Sequence, residues 1–177
     1  MSPRTRIAVV GFGLIGRRHV DVVVRSPKCK LAAIVDSNPA SKAAAEDQGA
    51  PVYSDLSDMI RAESPDGIVL ATPTPLHIEQ GLTCIGAGCP TLIEKPIAVT
   101  SIDARLLTEA ADKAGASADD VDPAVRAAEH RTAGSQSLAG SERRPGATEE
   151  GRWVRQLAQR GERGLRRGPI DTLLLVS

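Results

Sequence analysis

Up to about Gly115, short apolar runs alternate with longer stretches of helical periodicity. Arg6–Val10 is rich in β-branched residues and stops at glycine, as a buried strand does. Leu14, Ile15, Val20 and Val24 then recur at helical spacing, and Ser26-Pro27 closes that helix. Lys30–Asp36 is a second strand. A helix entered through Asn38-Pro39 follows and closes near Gly49. Residues 51–55 give a short third strand, and Asp55 or Ser57 is placed to cap the helix that follows it. Gly67–Thr72 shows no alternation, which predicts a strand buried on both faces. A further helix breaks near Gly86, and residues 90–95 form a fifth strand. A last helix starts at a capping Ser101, presents Ile102, Leu106, Leu107 and Ala110 on one face, and ends at Gly115. Strand and helix in strict alternation imply right-handed crossovers and a doubly wound parallel sheet of the Rossmann type, an α/β fold spanning residues 1–116.

After that point the character changes. Residues 117–177 contain no lysine, many arginines, and Trp153 as their one aromatic. Apolar residues are too sparse to build a core until the final run from Pro169 to Ser177. Glu149–Arg167 carries Trp153, Val154, Leu157 and Leu165 at the spacing of a basic amphipathic helix. Gly161 and Gly164 would each weaken that helix by about 1 kcal/mol relative to alanine. The segment reads as an irregular, solvated tail of low order, with no recognisable domain.

Composition narrows the function. The 177 residues suit one domain with an appendage. A formal net charge of zero removes the bulk electrostatic case for nucleic acid or acidic lipid as a partner. No apolar stretch approaches the ~20 residues that span a bilayer. The N-terminus enters a strand pattern at once, without a signal-peptide core, so a cytoplasmic location is expected. Cys29, Cys84 and Cys89 are odd in number and lack metal-ligand spacing. They read as reduced, buried apolar residues, not as a disulfide frame or a metal site.

The chemistry sits where strands end. Gly11, Gly13 and Gly16 have the G-x-G-x-x-G spacing, with Phe12, Leu14 and Ile15 between them. The motif follows a strand and opens a helix, the context that a dinucleotide fingerprint requires. Gly11 permits the tight turn, Gly13 lets a pyrophosphate approach the backbone, and Gly16 lets the helix pack closely on the sheet. The helix N-terminus adds open N–H groups and partial positive charge. Asp36 ends the second strand, where an acid accepts hydrogen bonds from ribose hydroxyls and repels a 2′-phosphate; a turn acid is the other reading. Ser37 and Asn38 follow it with no arginine to receive a phosphate, which favours NAD over NADP. Thr72, Pro73, Thr74 and His77 leave the fourth strand in a loop that its prolines stiffen, and they are expected to border the cofactor. His77 reads as positional more than as an acid–base group, and His19, inside the first helix, reads as structural. His130 is assigned nothing.

The glycine motif with His19, Asp36, the Ala71–His77 loop and Ile93–Thr100 with its Glu-Lys-Pro run stand here in an order that resembles the Gfo/Idh/MocA family, the glucose–fructose oxidoreductase and inositol dehydrogenase relatives. The resemblance covers about Arg6 to Gly115, and Glu94-Lys95-Pro96 is its most specific part. It implies a Rossmann domain serving NAD(P)-dependent oxidation or reduction of a sugar, polyol or related hydroxyl or carbonyl compound. It implies that Lys95 is catalytic, beside the nicotinamide and the reacting oxygen, with Glu94 next to it. Pro96 shapes a turn that is often cis. A lysine at that place is a positive charge near an oxygen that gains negative charge. Pro96 confines Lys95 to extended conformations. Glu94 is free to pair with Lys95 or to turn to the opposite face.

The resemblance also implies a second, substrate-binding α/β domain with an Asp-x-x-x-His acid–base pair, and this sequence contains no such pair. The abrupt compositional change leads to the expectation that the chain is truncated, or that the coding frame shifts, after about residue 116. Three readings stand at this level: the cofactor half of an oxidoreductase, a non-catalytic NAD(P)-binding fragment or sensor, and a scaffold that works through its basic tail. Apolar surface left uncovered by a missing domain leaves homo-oligomer and aggregate both open.

Overall fold

The computed structural model describes residues 4–114 and 174–176. The expected helix at 149–167, His130 and the Gly115 helix end lie outside them. Six strands alternate with five helices over those residues: β1 Thr5–Val10, α1 Leu14–Arg25, β2 Cys29–Val35, α2 Pro39–Glu46, β3 Val52–Tyr53, α3 Leu56–Glu63, β4 Gly67–Leu70, α4 His77–Gly86, β5 Thr91–Ile93, α5 Ser101–Lys113 and β6 Leu174–Val176. All neighbouring strands run parallel, in the order β3-β2-β1-β4-β5-β6. This is the doubly wound Rossmann topology. Strand β6 comes from the segment to which the sequence assigned no domain. Its residues belong to the apolar run at the chain's end.

Successive strand residues point to opposite faces, and both faces are covered. On one face Ile7, Val9, Val69 and Leu92 pack with Val20 and Val23 of α1 and Ala45 of α2. On the other, Ala8, Val10, Ile68, Leu70 and Ile93 pack with Met59 of α3, Cys84 and Ile85 of α4, and Leu107 and Ala111 of α5. The ladder between β1 and β2 slips by one residue: Ile7 pairs with Leu31, but Ala8 pairs with Ala33. Ala32 is the extra residue of that bulge, and its presence puts Leu31 and Ala33 on opposite faces.

Local chemistry sets the helix starts. The Asn38 side chain accepts the Ala40 N–H at 3.0 Å, and Pro39 occupies the first helical position. Of the two residues considered for α3, Asp55 is the cap, accepting the Asp58 N–H at 2.9 Å. For α5 the cap is Thr100 and not Ser101. Its hydroxyl accepts the Asp103 N–H and donates to the Asp103 carboxylate at 2.8 Å, a reciprocal arrangement that a cap one residue later lacks. The buried face of α5 differs from expectation in part: Leu107 is buried and Ala110 packs partly against the core, as expected. Leu107, Thr108 and Ala111 are buried, whereas Ile102 and Leu106 are 72% and 50% exposed. The Thr108 hydroxyl donates to the Ala104 carbonyl at 3.0 Å and so is satisfied when buried. Strands β4 and β5 end before the expected limits, so Thr72, Glu94 and Lys95 lie past the ladder.

Candidate functional site

β1 and β4 are neighbours whose connections diverge to opposite sides of the sheet. The carboxyl ends of β1, β2 and β4 open there into a crevice of about 720 Å³. Its floor and inner wall hold Val10, Gly11, Gly13, Leu14 and Ile15, and Val35, Asp36, Ser37 and Asn38 form a second wall. Ala71, Thr72 and Pro73 line the side toward β4.

The glycines divide the work as the spacing requires. Gly11 has φ +90°, and a Cβ there would lie 2.7 Å from the Ala71 carbonyl oxygen. A Cβ on Gly16 would lie 1.8 Å from the Gly11 carbonyl oxygen, so α1 reaches the turn only without a side chain. A Cβ on Gly13 would meet no protein atom within 4 Å. Gly13 is the N-cap of α1 and has no side-chain cap, so the first turn keeps N–H donors for a ligand. Open space at Gly13, uncapped amides and a crevice of this size fit a pyrophosphate group.

Asp36 holds the loop as well as the wall. Its Oδ2 accepts the Phe12 N–H at 2.7 Å and its Oδ1 accepts the Asn38 N–H at 2.8 Å. Each oxygen keeps a further lone pair for a hydroxyl. Phe12 is not part of the wall. Its ring is buried, the Arg17 guanidinium lies 4.8 Å from the ring centroid, and Arg17 Nε donates to the Phe12 carbonyl.

The loop after β4 carries the next group. The Thr72 hydroxyl donates to Gln80 Oε1 at 2.6 Å, tying the loop to α4. Thr74 begins a single 3-10 turn that leads into α4. His77 is buried and does not line the crevice. Its Nε2 lies 2.8 Å from the Thr72 carbonyl oxygen, and its Nδ1 lies 3.0 Å from the Pro96 carbonyl oxygen. A neutral ring has one N–H for these two acceptors, so joining both at full strength needs the second ring proton.

Glu94, Lys95 and Pro96 lie past β5, and the Glu94 N–H still reaches the Leu70 carbonyl at 3.0 Å. Glu94 has turned to the α1 face, where its Oε1 lies 2.6 Å from Nε2 of buried His19. Its Oε2 accepts the Lys95 backbone N–H at 3.2 Å. Lys95 is exposed, and the Lys95–Pro96 peptide bond is cis.

The sequence reading did not include Ser41, Ser54, Asp55, Ser57, Gln80 or Thr83, which also line the crevice. Their signal was position, since they stand just beyond strand ends or on the first two turns of α2, α3 and α4. Among the described residues no group of three His, Cys, Asp or Glu is placed to hold a metal ion. No described helix is long and apolar enough to cross a membrane.

The topology, the glycine turn and the acid at the end of β2 define a Rossmann nucleotide-binding domain. The chain belongs to the Gfo/Idh/MocA family, whose model, described as an oxidoreductase family with an NAD-binding Rossmann fold, matches residues 5–118. The chain is 34% identical to the rhizopine catabolism protein MocA of Rhizobium meliloti over 110 residues, 62% of this chain and 35% of that protein. It is 39% identical to the inositol 2-dehydrogenase of Rhodococcus erythropolis over 112 residues, 62% of this chain and 32% of that enzyme. Among solved structures, the WlbA dehydrogenase from Bordetella pertussis, in complex with NADH and UDP-GlcNAcA, superposes with a TM-score of 0.61 at 35% identity. That match covers 64% of this chain and 35% of the dehydrogenase. The chain spans about a third of the length of the curated relatives it matches.

Proposed function

We propose that this chain is the cofactor-binding part of an NAD-dependent oxidoreductase acting on a polyol or sugar, with Lys95 as its catalytic lysine. The observation that carries this reading is the crevice itself, in which an uncapped helix N-terminus faces open space at Gly13 while a carboxylate closes the far wall. Gly11 to Gly16 bind the pyrophosphate. Asp36 accepts the ribose hydroxyls, with Ser37 beside it, and Thr72, Pro73 and Thr74 border the nicotinamide half. The bound nicotinamide supplies the two-electron acceptor. Lys95 contributes a positive charge that favours the alkoxide form of the substrate oxygen. Glu94, His77 and Pro96 set where that charge stands.

NAD is favoured over NADP by the wall around Asp36. Ser37, Asn38, Ser41, Ser54, Asp55 and Ser57 line it, with no lysine or arginine among the crevice residues. A 2′-phosphate there would meet two carboxylates and no cation. The substrate class follows the inositol 2-dehydrogenase relatives. Three buried free thiols fit a reducing compartment and support a cytoplasmic location.

A second reading, an NAD-binding module without turnover, draws on the histidines. Both described ones are buried and committed to holding other groups, so neither offers acid–base chemistry to Lys95. Titration of the chain with NAD and NADP tests cofactor binding, with Gly13→Val as the control that fills the open space. Binding unaffected by that substitution would refute the site. A panel of polyols and sugars, beginning with myo-inositol, separates turnover from binding alone.

A further inference from the structure

His19 lies 75 positions from Glu94 in sequence, yet their side chains meet at 2.6 Å in a nearly closed space: 3% of the histidine side chain and 13% of the carboxylate are exposed. Leu92 packs on the α1 face and Ile93 on the opposite one, and Glu94 continues that alternation onto the α1 face. The ladder that enforces alternation ends at Ile93. One residue later the Glu94 N–H still bonds the Leu70 carbonyl, but no strand pairing decides its side-chain rotamer or the course of Lys95.

We propose that His19 makes that decision and is a positioning residue for Lys95. By holding Glu94 Oε1 from α1, it fixes the carboxylate whose other oxygen accepts the Lys95 N–H. Lys95 is thereby sent to the side of the chain away from α1. The far flank is held independently in the tautomer that carries the proton on His77 Nδ1, which donates to the Pro96 carbonyl at 3.0 Å. The lysine is thus gripped on both sides by histidines from two different helices. α1 also carries the glycine turn and α4 is tied to Thr72, so the grips connect Lys95 to both cofactor loops. This inference rests on the proposed role of Lys95 beside the nicotinamide.

The test uses two amides of equal polarity and different reach. In the place of His19, glutamine carries its amide nitrogen near the position of Nε2, and asparagine stops short. Lysines of the full chain are reductively methylated with ¹³C-formaldehyde, which keeps their charge, and the Lys95 signal is assigned by its loss in Lys95→Arg. NAD and ADP-ribose are titrated separately. The unaltered chain is expected to bind both and to show a Lys95 shift with NAD that ADP-ribose does not produce. His19→Gln should keep that shift. His19→Asn should lose at least half of it, while its ADP-ribose Kd stays within about twofold, because the pyrophosphate site is intact. An unaltered shift in His19→Asn overturns the positioning role alone. Equal weakening of NAD and ADP-ribose in His19→Asn also overturns it, since His19 would then act only on the fold. If the unaltered chain fails to bind ADP-ribose, the cofactor reading falls and this inference with it.

Discussion

Alanine at position 16 adds one methyl group to the closest approach between α1 and the glycine turn. Its Cβ would stand 1.8 Å from the Gly11 carbonyl oxygen and 2.8 Å from the carbonyl carbon. Neither is the end of a flexible side chain. Gly11 itself is held in place, because its N–H donates to the Val35 carbonyl at 2.7 Å. Bringing the 1.8 Å contact to the 3.0 Å that real Cβ atoms respect moves α1 and the turn apart by at least about 1.2 Å. Overpacking of this kind costs ~1–3 kcal/mol, which for a domain of this size lowers Tm by roughly 5–15 °C. The same displacement draws the first-turn amides away from the crevice, so NAD affinity should fall by about tenfold or more. Thermal unfolding followed by circular dichroism gives the first quantity and calorimetric NAD titration the second. Gly13→Ala is the control, because its Cβ meets nothing and should weaken binding while leaving Tm unchanged. A Gly16→Ala protein with unaltered Tm and NAD affinity would refute the close-approach argument.

Asp36→Asn removes the charge that opposes a 2′-phosphate, so the ratio of NADP to NAD affinity should rise about tenfold; an unchanged ratio in parallel titrations counts against the wall described around Asp36. Leu107→Ala, at a fully buried position, should cost ~2–5 kcal/mol in urea unfolding. Because Leu107 Cδ1 occupies the space 2.7 Å from a Gly81 Cβ, Gly81→Ala should destabilise the unaltered chain and be nearly neutral beside Leu107→Ala. Burial pushes the Cys84 and Cys89 thiols up to about 12 from an ordinary 9.0, with Cys84 and Asp66 adding to the effect at Cys89. Their folded pKa values lie above the unfolded ones, so this contribution to stability is complete below about pH 9 and is lost as pH rises toward 12. Unfolding free energy measured from pH 8 to 11 should fall less steeply in a Cys84→Ala/Cys89→Ala double variant than in the unaltered chain, and parallel slopes would contradict the assignment.

The sheet was legible because its strands are buried on both faces and bounded by glycine, proline and acids. The run from Ile7 to Val10 needs no partner information to be recognised. The glycine turn and Asp36 were legible because their chemistry is local: a positive φ, a close approach, an acid at a strand end. Three features were not. The face of α5 was read correctly at Leu107 and misread at Ile102 and Leu106, because bulk suggested core where Thr108 and Ala111 complete the stripe. The Ala32 bulge leaves no mark in a run of apolar residues. The pairing of His19 with Glu94 is a long-range contact between residues that each read as ordinary for their element. The alternation through Leu92 and Ile93 nevertheless pointed Glu94 toward α1.

Strand β6 gives the sheet a temporal order. Thr91 of β5 pairs with Leu174, so the partner of the β5 edge is made 83 residues later. At ordinary synthesis rates that interval is roughly 4–17 s, far longer than a helix or a local βαβ unit needs to form. Among the described residues, the five earlier strands therefore have time to assemble around a β5 edge not yet paired with β6, and the segment carrying Lys95 follows β5 directly. Late arrival of Leu174–Val176 makes the nascent chain vulnerable at one place, where an unpaired edge and its lysine wait for the last strand to close beside them.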